Sequence, residues 1–253
     1  MALEIVRDGR IQRLAMNRPE KRNALNLELC RALVSELRDA NESADVGCVL
    51  LSGAGKAFCA GMDLSEAADV DRDELAAIHH QLFTFNSWMR KPVVAAVRGA
   101  ALAGGTGLVA NAHVVIAEED ASFGLTEIRI GLWPVLIFPA VVRAVGERRA
   151  VELAMTGRVF KAREAERFGL ATEVVEAGAF ETRAAEVAGA LSQTSIAAMR
   201  AGLEYVDSIR NENEQEALHI GKLLREQMMT HPDFREGIHA WQEKRPPKWP
   251  SWS

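Results

Sequence analysis

Lys91-Pro92-Val93-Val94-Ala95-Ala96-Val97-Arg98-Gly99-Ala100-Ala101-Leu102-Ala103-Gly104-Gly105-Thr106-Gly107 carries the architecture in outline. The apolar run Val93 to Val97 predicts a buried strand, and the small residues after it lead into a glycine cluster that opens a helix. Buried strands feeding helices point to an α/β fold. The first turn of such a helix presents unpaired N–H groups and the positive end of the helix dipole, which suits an anion. A second reading is also open. Gly105-Thr106-Gly107-Leu108-Val109-Ala110 fits G-x-G-x-x-A, and Glu118, Glu119 and Asp120 follow the next strand, the outline of a dinucleotide fingerprint. Position weakens it. The fingerprint wants its first glycine at the strand tip, yet Gly99 to Gly104 intervene, and the acids come early for an offset of roughly 20 residues.

Upstream, Lys56-Ala57-Phe58-Cys59-Ala60-Gly61-Met62-Asp63-Leu64 follows the buried strand Val46 to Leu51 and the turn Gly53-Ala54-Gly55. Ala60 and Gly61 are small enough to let a ligand approach the backbone, where an exposed amide can donate to an oxygen that becomes negative during reaction. The plain alternative is a turn. Downstream, Ala121-Ser122-Phe123-Gly124-Leu125-Thr126-Glu127-Ile128-Arg129-Ile130-Gly131-Leu132 places Glu127 in an otherwise apolar stretch apart from Arg129. Apolar surroundings raise a carboxylic pKa and fit a group that exchanges protons near neutral pH. Arg129 works against this by favouring the charged form. A glutamate at a helix start, facing free N–H groups, is the structural alternative.

Around these segments, Leu3 to Val6 and Ile11 to Met16 predict a hairpin about Asp8-Gly9-Arg10. Leu25, Leu29, Leu33 and Leu37 recur every fourth residue and predict a helix ending near Asn41. A second long helix is expected from Asp73 to Met89, with His79 and His80 on its surface, and a strand from His113 to Ala117. Beyond Ala140 helices dominate, interrupted only by the strand-like run Gly169 to Val175, and from Ser195 to Lys244 the pattern is almost wholly helical. Leu203, Tyr205, Ile209, Leu218, Ile220, Leu223, Leu224 and Met228 there suit either a partner subunit or intrachain packing.

Composition bounds the function. The 253 residues are 48% hydrophobic and 26% charged, ordinary for a globular chain. A net charge of -5 argues against a broad nucleic-acid surface. No apolar run approaches the roughly 20 residues that span a bilayer, and charges near Met1 come too early for a signal peptide; a cytoplasmic protein is expected. Cys30, Cys48 and Cys59 have no CxxC spacing and no neighbouring histidine, so buried thiols are expected rather than disulfides or a metal site.

Asn17-Arg18-Pro19-Glu20-Lys21-Arg22-Asn23-Ala24-Leu25, Phe58 to Leu64, Lys91 to Gly107, Ser122 to Gly131, Leu153-Ala154-Met155-Thr156-Gly157 and Ala165-Glu166-Arg167-Phe168-Gly169-Leu170 occur in register. In this order they resemble the crotonase superfamily, the enoyl-CoA hydratase/isomerase family, over nearly the whole chain. The resemblance implies a spiral of ββα turns over residues 1–194 and a C-terminal helical region, 195–253, that packs a homotrimer or a dimer of trimers. It implies that the amides of Met62 and Gly104 hold a thioester oxygen and that Glu127 is the acid/base. Arg22, Ala24, Ala60, Asp63 and Leu64 would lie along the nucleotide of coenzyme A, which enters with the substrate; no separate cofactor or metal is expected. Arg18, Lys21 and Arg22 suit its phosphates.

One departure matters. Family hydratases use two glutamates; Glu127 matches the second, while Gly107 stands in place of the first. Thr106 is a poor base at neutral pH, and Asp63, Glu66, His79 and His80 are candidate substitutes. A single carboxylate favours moving a proton between carbons over adding water. An acyl-CoA-binding protein without turnover and a nicotinamide-dependent dehydrogenase are the competing functional classes. Trp133, Pro134 and Leu136-Ile137-Phe138 predict either a narrow apolar acyl pocket or plain core.

Overall fold

The computed structural model describes residues 1–66 and 71–252. Ten strands occur in chain order: β1 (Leu3–Asp8), β2 (Ile11–Met16), β3 (Cys48–Gly53), β4 (Ala57–Cys59), β5 (Val93–Val97), β6 (Ala100–Leu102), β7 (Val114–Glu118), β8 (Ser122–Gly124), β9 (Val159–Lys161) and β10 (Glu173–Val175). They form a six-stranded sheet ordered β1-β2-β3-β5-β7-β10 and a four-stranded sheet ordered β4-β6-β8-β9. The β1–β2 hairpin and the β8–β9 pair are antiparallel, and the remaining pairs are parallel.

The helices are α1 (Leu27–Glu42), α2 (Arg72–Leu82), α3 (Phe85–Trp88), α4 (Gly104–Asn111), α5 (Phe138–Val145), α6 (Glu147–Thr156), α7 (Ala162–Phe168), α8 (Phe180–Ser192), α9 (Ile196–Ser208), α10 (Glu214–Thr230) and α11 (Pro232–Gln242). The expected ββα spiral is present. β3–β4, β5–β6 and β7–β8 each place one strand in the large sheet and the next in the small sheet, and the first two are followed by returning helices, α2 and α4.

The large sheet is covered on both faces, which explains its continuous apolar strands. Val93, Ala95 and Val97 join Leu29, Leu33, Leu37 and Leu108 in the main core, while Val94 and Ala96 join Phe180, Ala184 and Ala188 of α8. The period-2 alternation of a strand makes that division.

The small sheet escapes the sequence pattern, β9 included, because three-residue buried strands show no period. The helix expected from Asp73 to Met89 is broken at Phe83-Thr84. There Thr84 Oγ1 donates to His80 O at 2.6 Å and Trp88 Nε1 to Gln81 O at 3.1 Å, so side chains take carbonyls that a continuing helix would use. The strand expected from Gly169 to Val175 is confined to β10, because Gly169, at φ +86°, caps α7 first.

Helices α9 and α10 contain no buried residue, and α11 only Asp233 and Ala240. Leu218, Leu223, Met229, Phe234, Ile238 and Trp241 are exposed. Tyr205 packs within the chain instead, donating to Ala217 O at 3.0 Å. Among the described residues no helix is long and apolar enough to cross a membrane.

Candidate functional site

Asn23 organises the first wall. It is fully buried in a left-handed conformation (φ +55°), its Oδ1 accepting from Arg18 N and its Nδ2 donating to Ala54 O and Ala57 O at 2.9 and 2.8 Å. The loop so fixed runs beside residues 60–63. Ala60 N donates to Arg22 O, Leu25 N to Gly61 O at 2.8 Å, and Asp63 N to Leu25 O at 2.9 Å. Because Gly61 O and Asp63 N face Leu25, strand alternation turns the Met62 amide to the opposite side. Gly61 adopts φ +95°, the left-handed region that glycine reaches without strain.

The second wall is the start of α4. Ala103 precedes it at φ +49°, ψ −119°, an unusual conformation for a residue with a side chain. The Ala103 amide donates to Gly124 O at 2.8 Å, and Gly107 N closes the first turn onto Ala103 O. The Gly104 amide therefore belongs to the unpaired first turn. A Cβ placed on Gly61 would lie 3.4 Å from Gly104 N, so the two amide-bearing segments are immediate neighbours.

β8 supplies the third element. Thr106 Oγ1 donates to Ala101 O at 2.7 Å and lies 3.1 Å from both Gly124 O and Gly124 N, joining α4 to the strand that leads to Glu127. Thr106 is thus a buried tether. Glu127 sits in a 3-10 turn, Thr126–Ile130, closed by Gly131 at φ +78° and by Leu132 N on Glu127 O. Its Oε2 is buried without a hydrogen-bond partner, and burial raises its pKa. The lowering expected from Arg129 does not arise: that side chain is exposed and lies beside Gly157 instead.

These elements frame a cavity of about 310 Å³ lined by Leu25, Ala60, Met62, Leu64, Ala103, Gly104 and Glu127 together with Leu132 to Ile137. His79, Phe83, Thr126 and Ile130 complete it. The sequence placed His79 on the surface. It is instead 6% exposed, because α2 turns that face onto the cavity, whereas His80 is exposed as expected.

At Gly107 the space is already filled. A Cβ there would lie 2.2 Å from Ile137 Cγ2 and 2.8 Å from Ile137 Cβ. Gly105 approaches Cys59 as closely, a Cβ falling 2.3 Å from Cys59 O. Close packing between helix, strand and loop therefore accounts for both glycines of the G-x-G-x-x-A match, and no dinucleotide cradle is needed.

The candidate substitutes fare differently. Asp63 accepts from Ser65 Oγ at 2.6 Å and from Arg18 at 2.9 Å, contacts that hold its carboxyl below the usual range. Glu66 also meets Arg18, at 3.3 Å. Neither carboxylate lines the cavity. Arg18 is engaged with both and with Ala24 O, so of the three basic residues assigned to phosphates only Lys21 and Arg22 are exposed. Leu64 is 55% exposed at the cavity rim, and Ala24 is buried. The three cysteines are free and buried, their thiols pushed up to about 12 by burial. Among the described residues no group of three His, Cys, Asp or Glu could hold a metal ion.

The family model for enoyl-CoA hydratase/isomerase matches residues 7–251. The chain belongs to the enoyl-CoA hydratase/isomerase family. An enoyl-CoA hydratase of Mycobacterium tuberculosis is 34% identical over 250 residues, covering 96% of this chain and 94% of that protein. Solved structures titled enoyl-CoA hydratase agree across the fold. That from Bacillus anthracis has a TM-score of 0.92 at 32% identity, covering 99% of this chain and 100% of the other. That from Mycobacterium smegmatis has the same TM-score at 31%, covering 98% and 99%. Like its family, this chain is an enzyme of the lyase or isomerase type, with a crotonase fold.

Proposed function

We propose that this family member forms the enolate of an acyl-CoA thioester and uses it to shift a double bond. The thioester oxygen lies between the Met62 and Gly104 amides, which stabilise the negative charge it gains as a proton leaves. Removing one such donor typically costs on the order of 3 kcal/mol of transition-state stabilisation. Glu127, as carboxylate, takes a proton from the carbon beside the thioester carbonyl of a 3-enoyl ester, giving a dienolate. The protonated Glu127 then returns a proton to the far carbon of that dienolate, so the double bond moves and nothing is added or lost. Burial suits Glu127 to both halves, because it raises the carboxyl pKa above its ordinary value and so eases the return of the proton.

The observation that carries isomerisation over hydration is Ile137 in the space beside Gly107. Glu127 is the one carboxylate among the described residues lining the cavity. Hydration is the second reading, favoured by the relatives named enoyl-CoA hydratase. A screen of enoyl-CoA esters in heavy-oxygen water separates them: a shifted double bond without label supports isomerisation, and label in the product supports hydration. Glu127→Gln should abolish turnover while thioester binding persists; undiminished turnover defeats both readings.

Lys21 and Arg22, exposed on the loop that frames residues 60–63, are proposed to meet coenzyme A phosphates, with Ala24, Ala60 and Leu64 along its length. Asp63 would act through Arg18 as a support for this wall. The apolar faces of α9 to α11 are proposed to pack a homotrimer or homohexamer.

A further inference from the structure

Exposure divides the cavity lining into a buried part and a rim. Gly104 and Gly107, three residues apart, share one face of α4. A Cβ on Gly104 would lie 3.0 Å from Phe83 Cζ, and one on Gly107 would lie 3.3 Å from Phe83 Cδ1 and 2.2 Å from Ile137 Cγ2. Phe83 and Ile137 are themselves buried, so they cover this face from Gly104 to Gly107. Ile130, Leu132, Trp133, Val135 and Leu136 line the same cavity yet are between 39% and 66% exposed. Plain core packing, one expectation for Trp133 and Leu136, does not leave side chains so open to solvent. The rim is also held in shape. Val135 N donates to Trp133 O at 2.8 Å and Phe138 N to Pro134 O at 2.9 Å, and the Trp133 ring lies 5.7 Å from that of Phe138. A contiguous apolar surface of this kind marks a binding site.

We propose that the acyl chain leaves the cavity across this rim, so that Leu132, Val135 and Leu136 bind carbons far from the thioester and the enzyme favours long hydrocarbon chains over short ones. The inference rests on the reading that the cavity holds an acyl-CoA thioester at the Met62 and Gly104 amides. With the oxygen there, Phe83 and Ile137 stop a chain from running on along α4. Coenzyme A is assigned above to Ala60 and Leu64 with Lys21 and Arg22, none of which belongs to the rim. Among the described lining residues none is Lys or Arg and Glu127 is the one carboxylate, which suits a hydrocarbon chain. The rim is continuous with the cavity that holds Glu127, whereas the apolar faces proposed for assembly lie on α9 to α11. An acyl chain is therefore its occupant, rather than a second copy of the protein.

The test is calorimetric titration of saturated straight-chain acyl-CoA esters of four, eight and twelve carbons, kept below micelle-forming concentrations, into wild type and a variant carrying Val135→Ser and Leu136→Ser. A methylene that gains full apolar cover tightens binding about fourfold, and one half covered about twofold. Lengthening the chain from eight to twelve carbons should therefore tighten binding to wild type by about tenfold or more. The variant should lose most of that gain. No tightening beyond eight carbons in wild type overturns the proposal, as does a gain that survives in the variant. An equal loss at every length also overturns it, by showing a packing role. A variant that sediments as a smaller assembly while keeping the gain overturns it too, by showing the rim to be an interface between copies. Should the double variant fold poorly, Val135→Thr, of nearly the same shape, should reduce the gain measurably, and an undiminished gain there defeats the proposal. If no ester binds wild type, the acyl-CoA reading itself fails, whereas binding of all three without dependence on length removes only the assignment of the rim.

Discussion

Replacing Gly107 with alanine probes whether a second side chain can stand in the cavity wall. In a helix interior that change ordinarily gains up to about 1 kcal/mol, because alanine loses less backbone entropy. Here the new methyl would fall 2.2 Å from Ile137 Cγ2 and 2.8 Å from Ile137 Cβ. The latter is not a flexible tip, and Ile137 is 3% exposed with its backbone fixed by bonds to Pro134 O and Val141 N. Overpacking of this kind costs about 1–3 kcal/mol, so a net loss of about 1–2 kcal/mol is expected after the helix gain. Ile137→Ala alone should cost about 2–5 kcal/mol through the cavity it leaves. In the double variant each change fills or vacates the other's space, so the two should couple favourably by about 0.5–3 kcal/mol. Thermal unfolding of the four proteins at one fixed concentration completes the cycle. Simple additivity, or a Gly107→Ala protein as stable as wild type, would refute the claim that Ile137 fills the space beside Gly107. The same cycle carried to Gly107→Glu with Ile137→Ala should raise label uptake from heavy-oxygen water relative to the double-bond shift.

Glu127→Gln should also stabilise the protein at pH 8. Burial raises the folded-state pKa of Glu127 above its ordinary value of 4.5, so its stability term is full below that value and is lost as pH rises through the folded pKa. The midpoint advantage of the glutamine variant should therefore shrink towards pH 4; a constant difference across this range refutes the burial explanation. Arg22→Ala should weaken coenzyme A binding several-fold with little change in unfolding midpoint, because its side chain is exposed. Arg18→Ala should chiefly destabilise the fold, by about 3 kcal/mol, because it strands the buried Asp63. Calorimetry paired with thermal unfolding distinguishes the two arginines, and a reversed pattern contradicts their assignment.

The local sequence determined much of this enzyme. The leucines of α1, the apolar runs of β3 and β5 and the glycine cluster opening α4 are periodic or compositional signals that act within one turn or one strand. They single out the segments of Met62, Gly104 and Glu127, which the structure brings to one cavity, and the ordered motifs are enough to name the family. What depends on contacts between segments far apart in the chain was not legible. The three-residue strands of the small sheet exist only because their neighbours supply hydrogen bonds, and α2 stops at Phe83 because side chains there compete for its carbonyls. The capture of Arg18 by Asp63 joins residues 45 positions apart, and the inward face of His79 follows from how α2 packs. The sequence showed that Gly107 lacks a carboxylate. Only the tertiary structure shows Ile137 in the vacated volume, since close packing rather than local propensity decides which atoms share a space.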